Sequence, residues 1–272
     1  MKLLPLFGCL LASTVVAAPG SPSRQERAAE RFNRRAALRN SNPLQAASLE
    51  ELRIATANTS HVQYSSNWAG AVLIGSGYKS VTGTITVPTP KVPSGGSSRT
   101  QYAASAWVGI DGDTCASAIL QTGVDFYVQG TTVSFDAWYE WYPDYAYDFT
   151  GITVKAGDQI KMTVTASSTS GGSAVIQNLS TGKTVTKTFS GESNKLCETN
   201  AEWIVEDFSS SGGLVPFANF GTVTFSGASV TTTSSSTLGV SGAQILDIQQ
   251  NNKVLTSCST SGTSTVTCSY TG

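Results

Sequence analysis

Ile160, Met162 and Val164 alternate with Lys161, Thr163 and Thr165. This period of two puts the apolar side chains on one face of an extended segment, as in a half-buried strand. Comparable runs recur downstream of residue 61: Trp68–Ile74, Val81–Val87, Ala103–Ile110, Ala118–Phe126, Val133–Tyr142, Gln159–Ser167, Ser173–Asn178, Thr184–Phe189, Ala201–Phe208, Thr222–Phe225, Gln244–Gln250 and Val266–Tyr270. Asp-Gly, Ser-Gly and Gly-Gly pairs separate them, supplying the turns. No amphipathic helix and no internal repeat is legible in this region, and Thr231–Thr237 reads as a polar loop or hairpin end. The pattern predicts one all-β domain over 61–272, a β-sandwich of two antiparallel sheets.

The first sixty residues are written differently. Lys2, the apolar run Leu3–Leu11 and the small residues Val15-Val16-Ala17 read as a signal peptide over 1–18, too short for a membrane anchor. Residues 19–60 read as a propeptide. Ser23 to Leu52 is rich in Arg, Glu and Ala and predicts a helix capped by Ser23. Residues 1–60 carry eight Lys or Arg against four Glu, whereas 61–272 carry nine basic and fourteen acidic residues. A basic segment ahead of an acidic domain suits a propeptide that covers an acidic cleft.

Four cysteines remain beyond the signal: Cys115, Cys197, Cys258 and Cys268. In an exported chain an even number points to disulfides. The short Cys258–Cys268 spacing suits a hairpin staple, which leaves Cys115–Cys197 as the long-range bridge. Asn58-Thr59-Ser60 and Asn178-Leu179-Ser180 make Asn58 and Asn178 glycosylation candidates.

Composition removes most catalytic chemistries. His61 is the only histidine, so His-dependent triads would have to use it and an HExxH zinc site is impossible. There is no phosphate-binding Gly-rich loop ending in Lys-Ser/Thr, no pair of Asp-Thr/Ser-Gly motifs, and the acidic domain disfavours nucleic acid. Nothing calls for a metal or cofactor. Catalysis must then run on carboxylates, amides and hydroxyls.

Two stretches concentrate such groups inside apolar runs: Trp107–Phe126, with Asp111, Asp113, Gln121 and Asp125, and Glu202–Phe208, with Glu206. An acid buried without a partner is costly, so these positions invite a functional reading. Strand period puts Glu202, Ile204, Glu206 and Phe208 on one face and Trp203, Val205 and Asp207 on the other. Ile119, Gln121 and Gly123 likewise share a face, as do Trp138, Glu140 and Tyr142. If the two stretches run side by side away from a Cys115–Cys197 bridge, Gln121 and Glu206 can face each other.

These stretches, together with Trp138-Tyr139-Glu140-Trp141-Tyr142-Pro143, Ser66-Asn67-Trp68-Ala69-Gly70 and Val215-Pro216-Phe217-Ala218, resemble the fungal glutamic peptidases, or eqolisins, from about residue 64 to the C-terminus. The resemblance implies a secreted precursor with a removable propeptide acting as an intramolecular inhibitor. It further implies a concanavalin A-like sandwich and a monomeric endopeptidase acting in acid on protein or peptide substrates. Residue by residue, it makes Gln121 and Glu206 the catalytic dyad. Trp107, Asp111, Asp125 and Glu140 fall near the site, with Trp68 and Tyr142 lining the cleft. Asp111 and Asp125 would orient the dyad through hydrogen bonds. Some relatives carry an extra cysteine pair after the Glu206 strand. Ser209–Gly213 has none here, which implies a more mobile loop.

Two other readings fit the same acids. Glu140 and Glu206 could be the carboxylate pair of a glycoside hydrolase, with Trp138 and Trp141 stacking on sugar. A noncatalytic, lectin-like carbohydrate-binding domain is the third reading.

Overall fold

The computed structural model describes residues 38–47 and 62–272. The signal peptide, Asn58, His61 and most of the propeptide lie outside the described residues. The first strands in chain order are β1 (Arg39–Asn40), β2 (Val62–Ser65), β3 (Trp68–Ile74), β4 (Tyr78–Thr86), β5 (Tyr102–Ile110), β6 (Ile119–Gln129) and β7 (Thr132–Tyr142). Then come β8 (Tyr147–Asp148), β9 (Gln159–Ser168), β10 (Gly171–Asn178), β11 (Lys183–Ser190), β12 (Asn200–Glu206), β13 (Ser209–Ser210) and β14 (Gly213–Leu214). The last are β15 (Thr222–Thr232), β16 (Thr237–Leu238), β17 (Gln244–Gln250), β18 (Lys253–Val254), β19 (Thr256–Ser261) and β20 (Thr265–Tyr270).

Two large sheets stack face to face. One runs β18-β17-β3-β12-β5-β6-β7-β8 with β2 beside β17, and the other β11-β10-β9-β4-β15-β20-β19 with β16 beside β15. Pairing is antiparallel except for β2 against β17. The expected β-sandwich is therefore observed, and Thr231–Thr237 is the hairpin end joining β15 to β16. The alternation explains the core. Ala104, Ala106 and Val108 of β5, Val124 and Phe126 of β6, and Trp203 and Val205 of β12 face Val81, Ile85, Ile160, Met162 and Val164 of the other sheet. Burial of such side chains stabilises by roughly 1.5–3 kcal/mol each.

Cys115–Cys197 and Cys258–Cys268 are bonded. The long-range bridge does not place β6 beside β12 as expected, because β5 runs between them and pairs with both. Asp111 reinforces that corner. It sits at φ 68°, and its carboxylate accepts the backbone N–H groups of Cys197, Glu198, Thr199 and Asn200 at 2.7–3.2 Å. Asp111 is thus a structural pin for the loop before β12 and makes no hydrogen bond to the dyad. This corrects the expectation that it orients the site.

The helix expected over 23–52 fails where it can be seen. Residues 38–47 are extended: Arg39 and Asn40 pair with Ser210 and Ser209, and Ala46 bridges to Ser65. Pro43 supplies the reason, since the residue before a proline is pushed out of the helical region. The Ser209–Gly213 loop, expected to be mobile, is held in a small sheet of β1, β13 and β14. Asn178 is buried, and its amide donates to Thr153 O (3.0 Å) and Asp158 Oδ2 (2.8 Å). Both N–H bonds are committed, so the folded domain does not present this sequon.

Asp111→Ala should leave four backbone N–H groups, one buried and three partly buried, without their acceptor and force a left-handed backbone onto alanine. A loss of ~3 kcal/mol or more is expected in urea unfolding.

Candidate active site

The sheet face turned away from the core carries the predicted residues in three transverse rows. Pairing registers Val72, Glu202, Gly109, Gln121 and Glu140 in the first row, across β3, β12, β5, β6 and β7. Gly70, Ile204, Trp107, Gly123 and Trp138 form the second, and Trp68, Glu206, Ser105, Asp125 and Asp136 the third. Acids and an amide thus occupy the outer rows, with tryptophans between them. Gly123 makes this possible: a Cβ there would fall 2.5 Å from Trp107 Cβ and 2.9 Å from the Trp138 ring. Gly109 likewise leaves room, its Cβ position lying 2.7 Å from the far edge of the Trp107 ring.

Trp107 spans the rows and donates its indole N–H to Glu206 Oε2 at 2.9 Å. Trp68 packs edge-on against it, with ring centroids 5.0 Å apart, and Tyr142 packs against the same apolar cluster. Trp141, by contrast, points to the inter-sheet core and donates to Asn194 O. It therefore cannot stack a ligand alongside Trp138.

Residues 39–45 cross this face. The Arg39 guanidinium, 2% exposed, forms a two-point ion pair with Asp125 at 2.5 and 2.9 Å and lies 3.5 Å from Glu140. It donates to Ser105 Oγ (3.2 Å) and lies over the Trp138 ring (3.8 Å) and the Phe208 ring (4.5 Å). Ser41 sits between the dyad residues. Its N–H donates to Glu140 Oε2 (3.1 Å) and its carbonyl accepts Gln121 Nε2–H (3.2 Å). Its hydroxyl lies beside Glu206 and restrains that group's pKa, although it makes no hydrogen bond of ordinary geometry. Gln121 and Glu206, separated by β5, are thus both neighbours of Ser41, the first through its carbonyl and the second through its side chain. Asp125 touches that segment and Tyr127 (3.0 Å), not Glu206. It orients Arg39 rather than the dyad.

Burial controls the electrostatics. It pushes Glu206 up to about 7 against the opposing pull of Arg39, Ser41 and Trp107. Glu140 is raised well above the carboxylate range by burial, opposed mainly by Arg39. Glu202 is raised by burial and then by the charges of Asp111 and Asp113, and neither of its oxygens has a hydrogen-bond partner. It therefore sits in the sheet as a neutral acid. Asp111, Cys115 and Cys197 cluster closely enough to suggest a metal site. Their chemistry does not fit one, because both sulfurs are bonded to each other and the carboxylate is saturated by N–H groups.

Sequence reasoning missed Arg39 and Ser41, assigning both to a helix. The cue was Asn40-Ser41-Asn42-Pro43, a turn- and extension-favouring run inside an Arg-rich stretch.

The sequence model of the peptidase A4 family matches residues 66–270. Aspergillopepsin-2 of Aspergillus niger is 51% identical, with 97% of this chain and 98% of the relative aligned. Scytalidopepsin B of Scytalidium lignicola is 47% identical over 97% and 96%. Among solved structures, scytalido-glutamic peptidase with a transition state analog inhibitor matches with TM-score 0.69 and 48% identity, covering 75% of this chain and 98% of that one. Aspergilloglutamic peptidase from Aspergillus niger matches with TM-score 0.60 and 60% identity, covering 62% and 99%.

The pKa values of Glu206, Asp136 and Asp247 are each raised to about 7, with burial the largest cause. A carboxyl with a raised folded pKa binds protons more tightly when folded. Its contribution is therefore most favourable below the unfolded value near 4 and is lost as pH rises toward 7. Urea midpoints should fall from pH 4 to pH 7, and folding at pH 5.5–6 should take up protons. A flat or rising profile would contradict this.

Proposed function

The chain belongs to the peptidase A4 family and is a glutamic-type endopeptidase, and from that membership we infer that Gln121 and Glu206 carry the hydrolysis. The carrying observation is that both residues adjoin one residue of the segment crossing the sheet, Ser41: Gln121 donates its amide N–H to the Ser41 carbonyl at 3.2 Å, and Glu206 lies beside the Ser41 side chain.

In this reading Glu206, as carboxylate, removes a proton from a water that attacks the scissile carbonyl carbon. Gln121 donates its amide N–H to the oxygen as negative charge develops there. The protonated Glu206 then returns the proton to the departing amine. Trp107 fixes the carboxyl by its indole N–H, which stabilises the ionised form. A seated segment keeps bulk water out of the cleft and the Glu206 pKa near 7. Water entering the open cleft solvates the carboxyl and returns it toward the ordinary range near 4.3, where it can act as a base in acid. No cofactor is needed for these steps.

Residues 39–47 act as an inhibitory propeptide segment, filling the cleft ahead of substrate. Their hold depends on Arg39, which is buried against Asp125 in a two-point ion pair with Glu140 3.5 Å away. The alignment lengths are consistent with removal of an N-terminal segment, since aspergillopepsin-2 and scytalidopepsin B align over 97% of the chain, whereas the scytalido-glutamic and aspergilloglutamic peptidase structures cover 75% and 62% of it. Secretion is supported by the N-terminal sequence and the two disulfides. Among the described residues no helix is long and apolar enough to cross a membrane.

Digestion of an acid-denatured protein between pH 2 and 7 tests the dyad. Glu206→Gln keeps the shape and removes the base, so kcat should fall about 10²–10⁴-fold. Gln121→Ala should lower kcat about 10²–10³-fold with little change in KM. Equal activity in a folded Glu206→Gln protein would remove Glu206 from the mechanism. For the propeptide, Arg39→Ala should let the unprocessed precursor bind a peptide substrate analogue at a pH where the native precursor does not.

A further inference from the structure

We propose that the Ser41–Asn42 peptide bond is the first bond this enzyme hydrolyses in its own precursor. The inference rests on the assignment of Gln121 and Glu206 given above and adds what that assignment leaves open: where the precursor is cut first, and that the segment is held as a substrate.

Only the Ser41 carbonyl is engaged by a dyad residue. Other carbonyls of the segment go to groups with no catalytic part. Arg39 O accepts Ala146 N–H (3.1 Å), and Gln45 O accepts Ser66 N–H (2.8 Å). Asn42 O and Pro43 O accept the Asn67 amide at 3.4 and 3.1 Å. The bond is clamped on both sides. Upstream, Arg39 is locked to Asp125 and Ser41 N–H to Glu140. Downstream, Leu44 N–H reaches Gly112 O (2.9 Å), Ala47 N–H reaches Tyr64 O (3.1 Å), and Asn42 Nδ2 reaches Ser209 Oγ (2.7 Å). A segment held extended across the strands, with one carbonyl aimed at the amide donor, is bound in the manner of a substrate. Such fixed geometry is itself a large part of a hydrolase's rate.

Room for the second reactant is built in. Gln121 Oε1, Glu206 Oε1 and Ser41 Oγ are buried and have no hydrogen-bond partner, and Ser41 is the residue whose carbonyl Gln121 holds and whose side chain lies beside Glu206. Buried acceptors so arranged suit a water with two to four polar contacts. The step balances with solvent water alone. Its oxygen bonds to the Ser41 carbonyl carbon while Glu206 takes one proton. The carbon–nitrogen bond to Asn42 then breaks, and that proton passes to the Asn42 nitrogen. The products are a chain ending in the Ser41 carboxyl and a chain beginning with the Asn42 amine. Release of the upstream piece removes Arg39 from the acid cluster and β1 from the Ser209–Leu214 hairpin.

The test is a time course of the full precursor, purified above neutral pH and shifted to a series of pH values from about 7 down to about 2, with new termini read by mass spectrometry. The first new N-terminus should be Asn42, appearing with a rate constant unchanged on dilution because the segment lies in its own cleft. A first cut at another bond, or survival of Ser41–Asn42 while processed enzyme accumulates, would overturn the proposal. Asn42→Pro removes the N–H of the leaving group and should abolish this cut, and the wild-type mapping stands however that variant folds. A synthetic peptide of residues 38–47, given to processed enzyme, should yield Leu38–Ser41 and Asn42–Ala47. Activity on denatured protein that needs Glu206 but leaves Ser41–Asn42 intact would sink the proposal and spare the dyad. Activity independent of Glu206 would sink both.

Discussion

A sheet face that must hold several carboxyl groups in a dry environment is the constraint on which the rest of this structure depends. Glu206, Glu140, Asp125 and Glu202 are each 0–1% exposed. An ionised carboxylate in such a place costs several kcal/mol unless a cation or N–H group faces it. The molecule answers in three ways. Asp111, at the rim, takes four backbone N–H groups. Glu202, with none, is held neutral by burial. Asp125 is paired with Arg39, the buried cation of the cleft, while Glu140, 3.5 Å from the same cation, is still raised well above the carboxylate range by burial. That cation comes from a segment outside the sandwich proper. The charge state of the cleft is therefore linked to whether residues 39–47 are seated.

The same linkage gives the segment two roles that only look opposed. As a plug it excludes bulk water and pushes Glu206 up to about 7, so that in acid only a small ionised fraction of the proposed base can act while the segment is seated. As a ligand it aligns one carbonyl with Gln121. Inhibition and presentation then use identical contacts, and what separates them is access of water to Glu206. A cleft that opens by losing the Arg39 ion pair admits water and restores the base in one event.

Much of this was legible in the sequence, and the failures have physical causes. Period two located the main strands to within a few residues because one face of each strand is buried between sheets, as in Ile160–Val164. It also placed Glu206 and Trp203 on opposite faces correctly. What period could not supply was strand order. Tyr102–Ile110 inserts between β6 and β12, so Gln121 and Glu206 approach across an intervening strand rather than side by side. Asp111 was misjudged because a left-handed acid bonded to backbone N–H groups and a site acid look alike in a one-dimensional string. Arg39 was missed for the converse reason. Ala and Arg around it favour helix locally, and only its partners Asp125, Glu140 and Trp138, distant in sequence, make the extended form preferable.

The identity of the proposed oxyanion donor, Gln121, follows from the same constraint. A lysine or arginine at position 121 would stabilise a developing negative charge more strongly than an amide. It would also sit beside Glu140 as a permanent counter-charge, lower the carboxyl pKa values around it, and displace Arg39 as the cation of the cleft. The neutral amide does neither. It donates one N–H at any pH and leaves the acids to be governed by burial and by whatever occupies the cleft. A site built on a glutamine can therefore exchange one resident segment for water or substrate without carrying a charge of its own that would oppose the change. That independence of protonation suits an enzyme whose own carboxyls are tuned by occupancy, and it makes the pairing of a raised glutamic acid with an amide chemically coherent.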